Sequence, residues 1–194
     1  MNIKTIIGIG VVVLLAFWGI SIYNGMVQKE ETVNQAWAQV ENQYQRRADL
    51  IPNLVATVKG AANFEQETLT NVIEARSKAT SIQVSAEDLN DPAKLRQFQQ
   101  AQQQLSGALS RLMVTVERYP QLQANQNFLA LQDQLEGTAN RITTERMRFN
   151  RAVQNYNTAI QKFPKNLFAG LFGFDEKAYF EAEEGAEEVP DVQF

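Results

Sequence analysis

Residues 33–58 read VNQAWAQVENQYQRRADLIPNLVATV, and the spacing of their apolar side chains decides the fold class. Val33, Trp37, Val40, Tyr44, Ile51, Leu54 and Val58 follow one another in alternating steps of four and three, the seven-residue period of a helix that packs along a seam. The one missing step, between Tyr44 and Ile51, is taken by Arg47. Pro52 falls inside the run, where it deletes a backbone donor and crowds the preceding turn, so a helix kink is expected there.

The same period returns twice downstream. Leu95, Phe98, Leu105, Leu109, Leu112, Val116 and Tyr119 carry it with Gln102 in the seam, and Phe128, Leu131, Leu135, Ile142, Phe149, Val153, Tyr156, Ile160 and Phe163 carry it with breaks at Thr138 and Glu145. A shorter helix from Phe64 to Thr80 holds Leu69, Val72, Ile73 and Arg76. Turn signals separate the runs at Lys59-Gly60 to Asn63, at Ser81 to Pro92, and at Tyr119-Pro120. Strand-like alternation is missing. The expected fold is therefore all-α: an N-terminal transmembrane helix followed by an antiparallel four-helix bundle with long, coiled-coil-like helices. The expected divisions are a membrane anchor at 1–28, the bundle at 29–163, an apolar C-terminal segment at 164–181 and an acidic tail at 182–194.

The anchor rests on the 20 positions from Ile3 to Ile22, whose only charge is Lys4, enough to cross a hydrocarbon core of ~30 Å. A cleaved signal peptide is the rival, but no clear small-residue cleavage site follows and the apolar run exceeds a usual signal core. Lys4 and the amino terminus oppose Lys29, Glu30 and Glu31, a balance that slightly favours an exported body on a single-pass anchor. Geometry adds a further expectation. The 39 residues from 125 to 163 match the 39 from 24 to 62 in length, so a fourth helix antiparallel to the first returns Phe163 to the bilayer surface and sets Arg47 level with residue 140.

Composition excludes more chemistry than it suggests. Cysteine and histidine are both absent, which removes disulfides, thiol nucleophiles, histidine bases and ordinary zinc sites. A dinuclear-iron bundle would need inward Glu-x-x-His pairs. No catalytic residue, cofactor or metal is expected. Net charge is −4, yet residues 175–194 hold eight acids and one lysine, leaving 17 basic against 14 acidic side chains upstream. No Lys/Arg patch interleaved with aromatics appears, so nucleic acid is not an expected partner.

Tyr23-Asn24-x-Met26-Val27, Trp37 and the long block Gln43-Tyr44-x-Arg46-Arg47-x-Asp49-Leu50-Ile51-Pro52-Asn53-Leu54-Val55-x-x-Val58-Lys59 closely resemble LemA proteins. Ala75-Arg76, Val116-Glu117-x-Tyr119-Pro120, Leu135-Glu136-Gly137-Thr138, Asn140-Arg141-Ile142, Asn150, Tyr156-Asn157, Phe172-Gly173-Phe174 and Tyr179-Phe180 look like the same family. The likeness implies a helical protein anchored in the bacterial inner membrane, in a group that also includes a magnetosome membrane protein, and it implies no established activity. Phe149 stands where the family pattern has tyrosine, Phe64 where histidine is common, and Ala139 where an acid is common.

Three groups of residues invite a role. Arg47 in an apolar seam demands compensation, because burying an unpaired guanidinium costs several kcal/mol; the register nominates Glu136 or Glu145 for an interhelical ion pair, the alternative being a head group extended to water. The stretch from Asn166 to Phe174 carries too much apolar surface for a linker. It either caps the bundle or sets Leu167, Phe168, Leu171, Phe172 and Phe174 into a membrane or partner. Arg141, Arg146, Arg148 and Arg151 could grip lipid phosphates or an acidic partner, although such a cluster is more often a solvated helix face. Taken together these features suggest a non-enzymatic, membrane-anchored scaffold or adaptor that assembles as a homo-oligomer or with other membrane proteins. The alternatives are a lipid-binding or membrane-shaping protein and a sensor module acting laterally through a partner membrane protein.

Overall fold

The computed structural model describes residues 2–60 and 64–181, so the acidic tail expected at 182–194 lies outside the described residues. Among these the chain forms helices α1 (Ile3–Lys59), α2 (Gln66–Ser81), α3 (Pro92–Val116), α4 (Pro120–Gln123), α5 (Gln126–Gln161) and α6 (Lys165–Phe172), with a 3-10 turn at Ala86–Asn90 and no strand. The 57 residues of α1 reach ~85 Å, and anchor and body share that one helix without a break at residue 28. Its first turns are long and apolar enough to cross a membrane. The large side chains from Ile3 to Ile20 are exposed, a surface that water does not tolerate on an unpartnered helix.

Local capping fixes where the body helices begin. The Asp91 carboxylate accepts from the backbone N–H groups of Ala93 (2.8 Å) and Lys94 (3.2 Å), and Pro92 occupies the first turn, where its missing donor costs nothing. Asn125 caps α5 in the same way through Asn127 and Phe128. Ahead of α3, the Asp88 carboxylate binds Lys94 at 2.6 Å and takes both the hydroxyl and the N–H of Ser85. Those hydrogen bonds, that of Lys94 foremost, hold its pKa down to about 2.

α1 and α5 run antiparallel, with the Trp37 and Phe149 rings 5.5 Å apart and Arg47 sharing a cleft with Ala139 and Ile142. That is the register read from helix lengths. α2 and α3 form a second antiparallel pair, joined at one end by Gln102 Nε2 donating to the Ala79 carbonyl (3.2 Å) and at the other by the Phe64 and Tyr119 rings, 4.8 Å apart.

The buried apolar side chains fall into two clusters. The membrane-proximal one gathers Met26, Trp37, Tyr44, Phe98, Phe149 and Tyr156; the distal one gathers Ile51, Leu54, Leu69, Leu105, Leu112 and Leu135. Each long helix crosses from one cluster to the other at a residue that interrupts its seam: Arg47 on α1, Gln102 on α3, Thr138 on α5, all buried. These three interruptions form one polar layer, while Glu145, the second break on α5, falls between Ile142 and Phe149 of the membrane-proximal cluster.

Pro52 does not end α1, which continues to Lys59. The bond its ring nitrogen cannot donate is the one to the carbonyl four residues back, that of Ala48. Arg76 of α2 supplies the missing donor, its Nε lying 2.7 Å from that oxygen. A side chain from the neighbouring helix therefore replaces a backbone hydrogen bond.

Candidate functional site

At the membrane-proximal end the chain turns after α5 and lays α6 along α1. Phe168 and Phe172, four residues apart, share one face of α6. Phe168 meets Trp18 edge-on at 6.0 Å and Phe172 meets Tyr23 at 5.1 Å. The approach is close enough that a Cβ on Gly19 would stand 3.5 Å from the Phe168 ring. Leu167 and Leu171 occupy the other face and are 63% and 76% exposed. The five nominated residues thus divide: three rings dock on the end of the span, Phe174 joining Phe172 on Tyr23 at 5.6 Å, while the two leucines remain open. Phe163 is 80% exposed beside them, and it lines a cleft with Trp18 and Ile22, so α5 does return to the level of the apolar run.

Gly173, with φ of 75°, makes the left-handed turn that ends α6 and sends residues 174–181 back along the body as an extended strap. Three carboxamides hold it. Asn157 donates to the Lys177 carbonyl and accepts from the Lys177 N–H, both at 2.9 Å. Asn150 does the same for Phe180 at 3.0 and 2.9 Å, and Gln99 for Glu181 at 2.8 and 3.3 Å. Each amide imitates a strand partner, so the strap's backbone is satisfied without a sheet. Side chains fix its position: Phe180 stacks on Trp37 at 5.9 Å under the Arg146 guanidinium, and buried Lys177 pairs with Glu30 of α1 at 2.8 Å. Tyr156 donates to the Asp175 carbonyl; burial first, then the charges of Glu30 and Asp175, push its pKa up.

The ion pair expected of Arg47 does not form. Its Nη2 donates to the Gln102 Oε1 at 2.6 Å and its Nη1 to the Ser106 Oγ at 2.9 Å, while Glu136 accepts from Gln132 and Glu145 pairs with Arg148. The register explains this outcome. The α5 residues level with Arg47 are Ala139, Ile142 and Thr143, and the two glutamates lie roughly a turn above and below. Arg47 is 6% exposed, its Nε has no partner, and burial lowers its pKa against the opposing influence of Tyr44. A guanidinium nonetheless stays charged, so this is a cation held by neutral acceptors. Of the basic cluster, Arg148 is spent on Glu145 and Arg146 on the strap, where it also reaches the Glu181 carbonyl.

The seam reading missed Gln99, Asn150, Asn157 and Arg76 as positioning residues. A signal existed for the two asparagines, which stand seven residues apart on one face of α5.

The LemA family matches residues 36–194. The chain belongs to the LemA family. Among curated proteins it resembles magnetosome protein MamQ of Magnetospirillum gryphiswaldense, 27% identical over 92% of this chain and 72% of that protein, and MamQ 2 of Paramagnetospirillum magneticum, 28% identical over 82% of this chain. Protein LemA of Metamycoplasma hominis is 24% identical over 83% of this chain and 69% of that protein. The chain spans 64% of the length of the Paramagnetospirillum relative. As a LemA family member with an N-terminal helix suited to a bilayer, the protein is assigned to a membrane.

Proposed function

We propose that this LemA family member is a non-enzymatic scaffold or adaptor, held in the bacterial inner membrane by a single pass of α1, its body a four-helix bundle on the exported side that self-associates laterally. One observation carries the reading: α6 is two-faced at the depth of the span. Its aromatic face packs on Trp18 and Tyr23, with Phe172 still half-exposed, and Leu167 and Leu171 are presented outward next to the exposed apolar helix. Lateral association of two copies would cover these leucines and add their area to that between adjacent spans. The strap supports the same reading, since it ties α6 through α5, α3 and Glu30 to the body. A partner at the foot would thus hold the body in a fixed orientation above the membrane.

The test is the native mass of full-length protein in lipid nanodiscs beside the Leu167→Ser/Leu171→Ser variant. A discrete oligomer that falls to monomer in the variant is expected. A native chain that is already monomeric and carries no companion protein would refute self-assembly and the adaptor role together.

A further inference from the structure

We propose that the cleft where α1, α5 and α6 meet binds one anionic phospholipid. The cleft has a volume of about 490 Å³, within the range of small-molecule sites. Trp18, Ile22 and Phe163 form its apolar part, and Lys29, Lys162 and Lys165 supply its charge. Its chemistry is graded along α1. Trp18 and Ile22 belong to the last turns of the apolar run, and Lys29 stands ~16 Å above Trp18. That distance spans the boundary from acyl chain through glycerol to headgroup phosphate.

Among the described residues the charge has no counter-ion. No acidic residue lines the cleft, and among the described residues none of the three lysines has a carboxylate within ion-pair distance, although Lys29 and Lys165 are half-buried. Of the acids nearest in sequence, Glu30 pairs with Lys177, while Glu31 and Glu176 accept from Gln35 and Gln161. Lysines that share one cleft, two of them half-buried, repel one another, and an anion placed among them removes that cost. At this depth the abundant solute with one apolar and one anionic end is a phospholipid of net negative charge. Basic pockets beside membrane helices hold such headgroups. Asn155 and Thr158, on the cleft wall, stand level with Lys29 in the α1–α5 register and give hydrogen-bonding groups beside the headgroup.

The site rests on α1 spanning the membrane and not on self-association, so the two proposals fail separately. Full-length protein is placed in nanodiscs of equal parts phosphatidylglycerol and phosphatidylcholine, released into mild detergent and weighed with its retained lipid by native mass spectrometry. Each lysine near an anionic lipid contributes about a fivefold preference, so retention of phosphatidylglycerol should exceed that of phosphatidylcholine by at least roughly tenfold. The Lys29→Gln/Lys162→Gln/Lys165→Gln variant should bring the ratio close to one. The Arg111→Gln/Arg141→Gln variant, which removes exposed charge away from the cleft, should leave it unchanged. Equal retention of the two lipids by the native chain overturns the proposal, as does an equal loss in the arginine variant, which would reduce the preference to bulk charge. Displacement of the lipid by soluble glycerol phosphate would also overturn it, because the headgroup alone would then suffice. A chain that fails to insert would be lost from the nanodisc fraction, a different result from insertion without selection.

Discussion

Replacing Arg76 by Met removes the donor that the Ala48 carbonyl has in place of Pro52, while keeping an unbranched stem against the shallow apolar cleft of Pro52, Val55 and Ile73. Ala48 is buried, so its oxygen would lose a charge-assisted bond in a part-buried setting, a loss of about 2 kcal/mol. For a chain of this size that lowers the melting temperature by roughly 4 to 8 °C. In a Pro52→Ala background the helix regains its own N–H at that position, and the same Arg76→Met change should then cost about 0.5 kcal/mol or less. The coupling between the two sites is therefore about 1.5 kcal/mol, well above the few tenths expected of independent residues. Thermal unfolding of the four full-length variants in one detergent, followed by helical circular dichroism, measures it. Amide exchange localised to residues 48–56 should quicken in Arg76→Met alone. Additive losses across the cycle would refute the idea that Arg76 serves as the missing backbone donor.

Two further substitutions address the polar layer and the strap. Arg47→Met removes a buried cation that no carboxylate balances and should be neutral or raise the melting temperature, whereas Gln102→Leu leaves that cation with Ser106 as its remaining side-chain acceptor and should cost about 3–5 kcal/mol; calorimetry giving the reverse order would disprove the account of the layer. Asn150→Ala with Asn157→Ala orphans four backbone groups of the strap, so tryptic cleavage after buried Lys177 should accelerate at least tenfold with helix content unchanged. Unaltered cleavage would mean that the side chains of Lys177 and Phe180, and not the carboxamides, hold the strap.

Helix boundaries, register and the return of Phe163 to the apolar run were legible because each depends on period and length alone. Arg47 shows where that legibility stopped. Its seam position marked it as buried, but its partner was sought on the antiparallel helix and among carboxylates, since opposite charge is the usual answer to a buried guanidinium. The partner is instead another polar seam residue, Gln102 of α3. Both lie between one apolar cluster and the next, so matching seam breaks with one another would have found it. Arg76 was harder to foresee. Pro52 announces an orphaned carbonyl but not which neighbour faces it, because that depends on how α2 lies against α1, a tertiary fact with no local signature.

The strap shows that irregular structure can be written in a helix it touches. Asn150 and Asn157 are seven residues apart on α5, a rise of ~10.5 Å; Lys177 and Phe180, the residues they clamp, are three residues apart in extended chain, ~10 Å. Two carboxamides one heptad apart therefore read an antiparallel extended segment in steps of three, wherever that segment lies close enough to the helix. Backbone matching of this kind fixes direction and register but says little about side chains, and the specificity comes from Phe180 on Trp37 and Lys177 on Glu30. Lys177 is the residue that makes the arrangement bear on the membrane. It binds α1 two turns above Ile22, so the ion pair that seats the strap also fixes where α6, starting twelve residues earlier, meets the end of the span. Position at the foot and order in the strap are then one property, and a change that frees the strap should loosen α6 from Trp18 and Tyr23 as well.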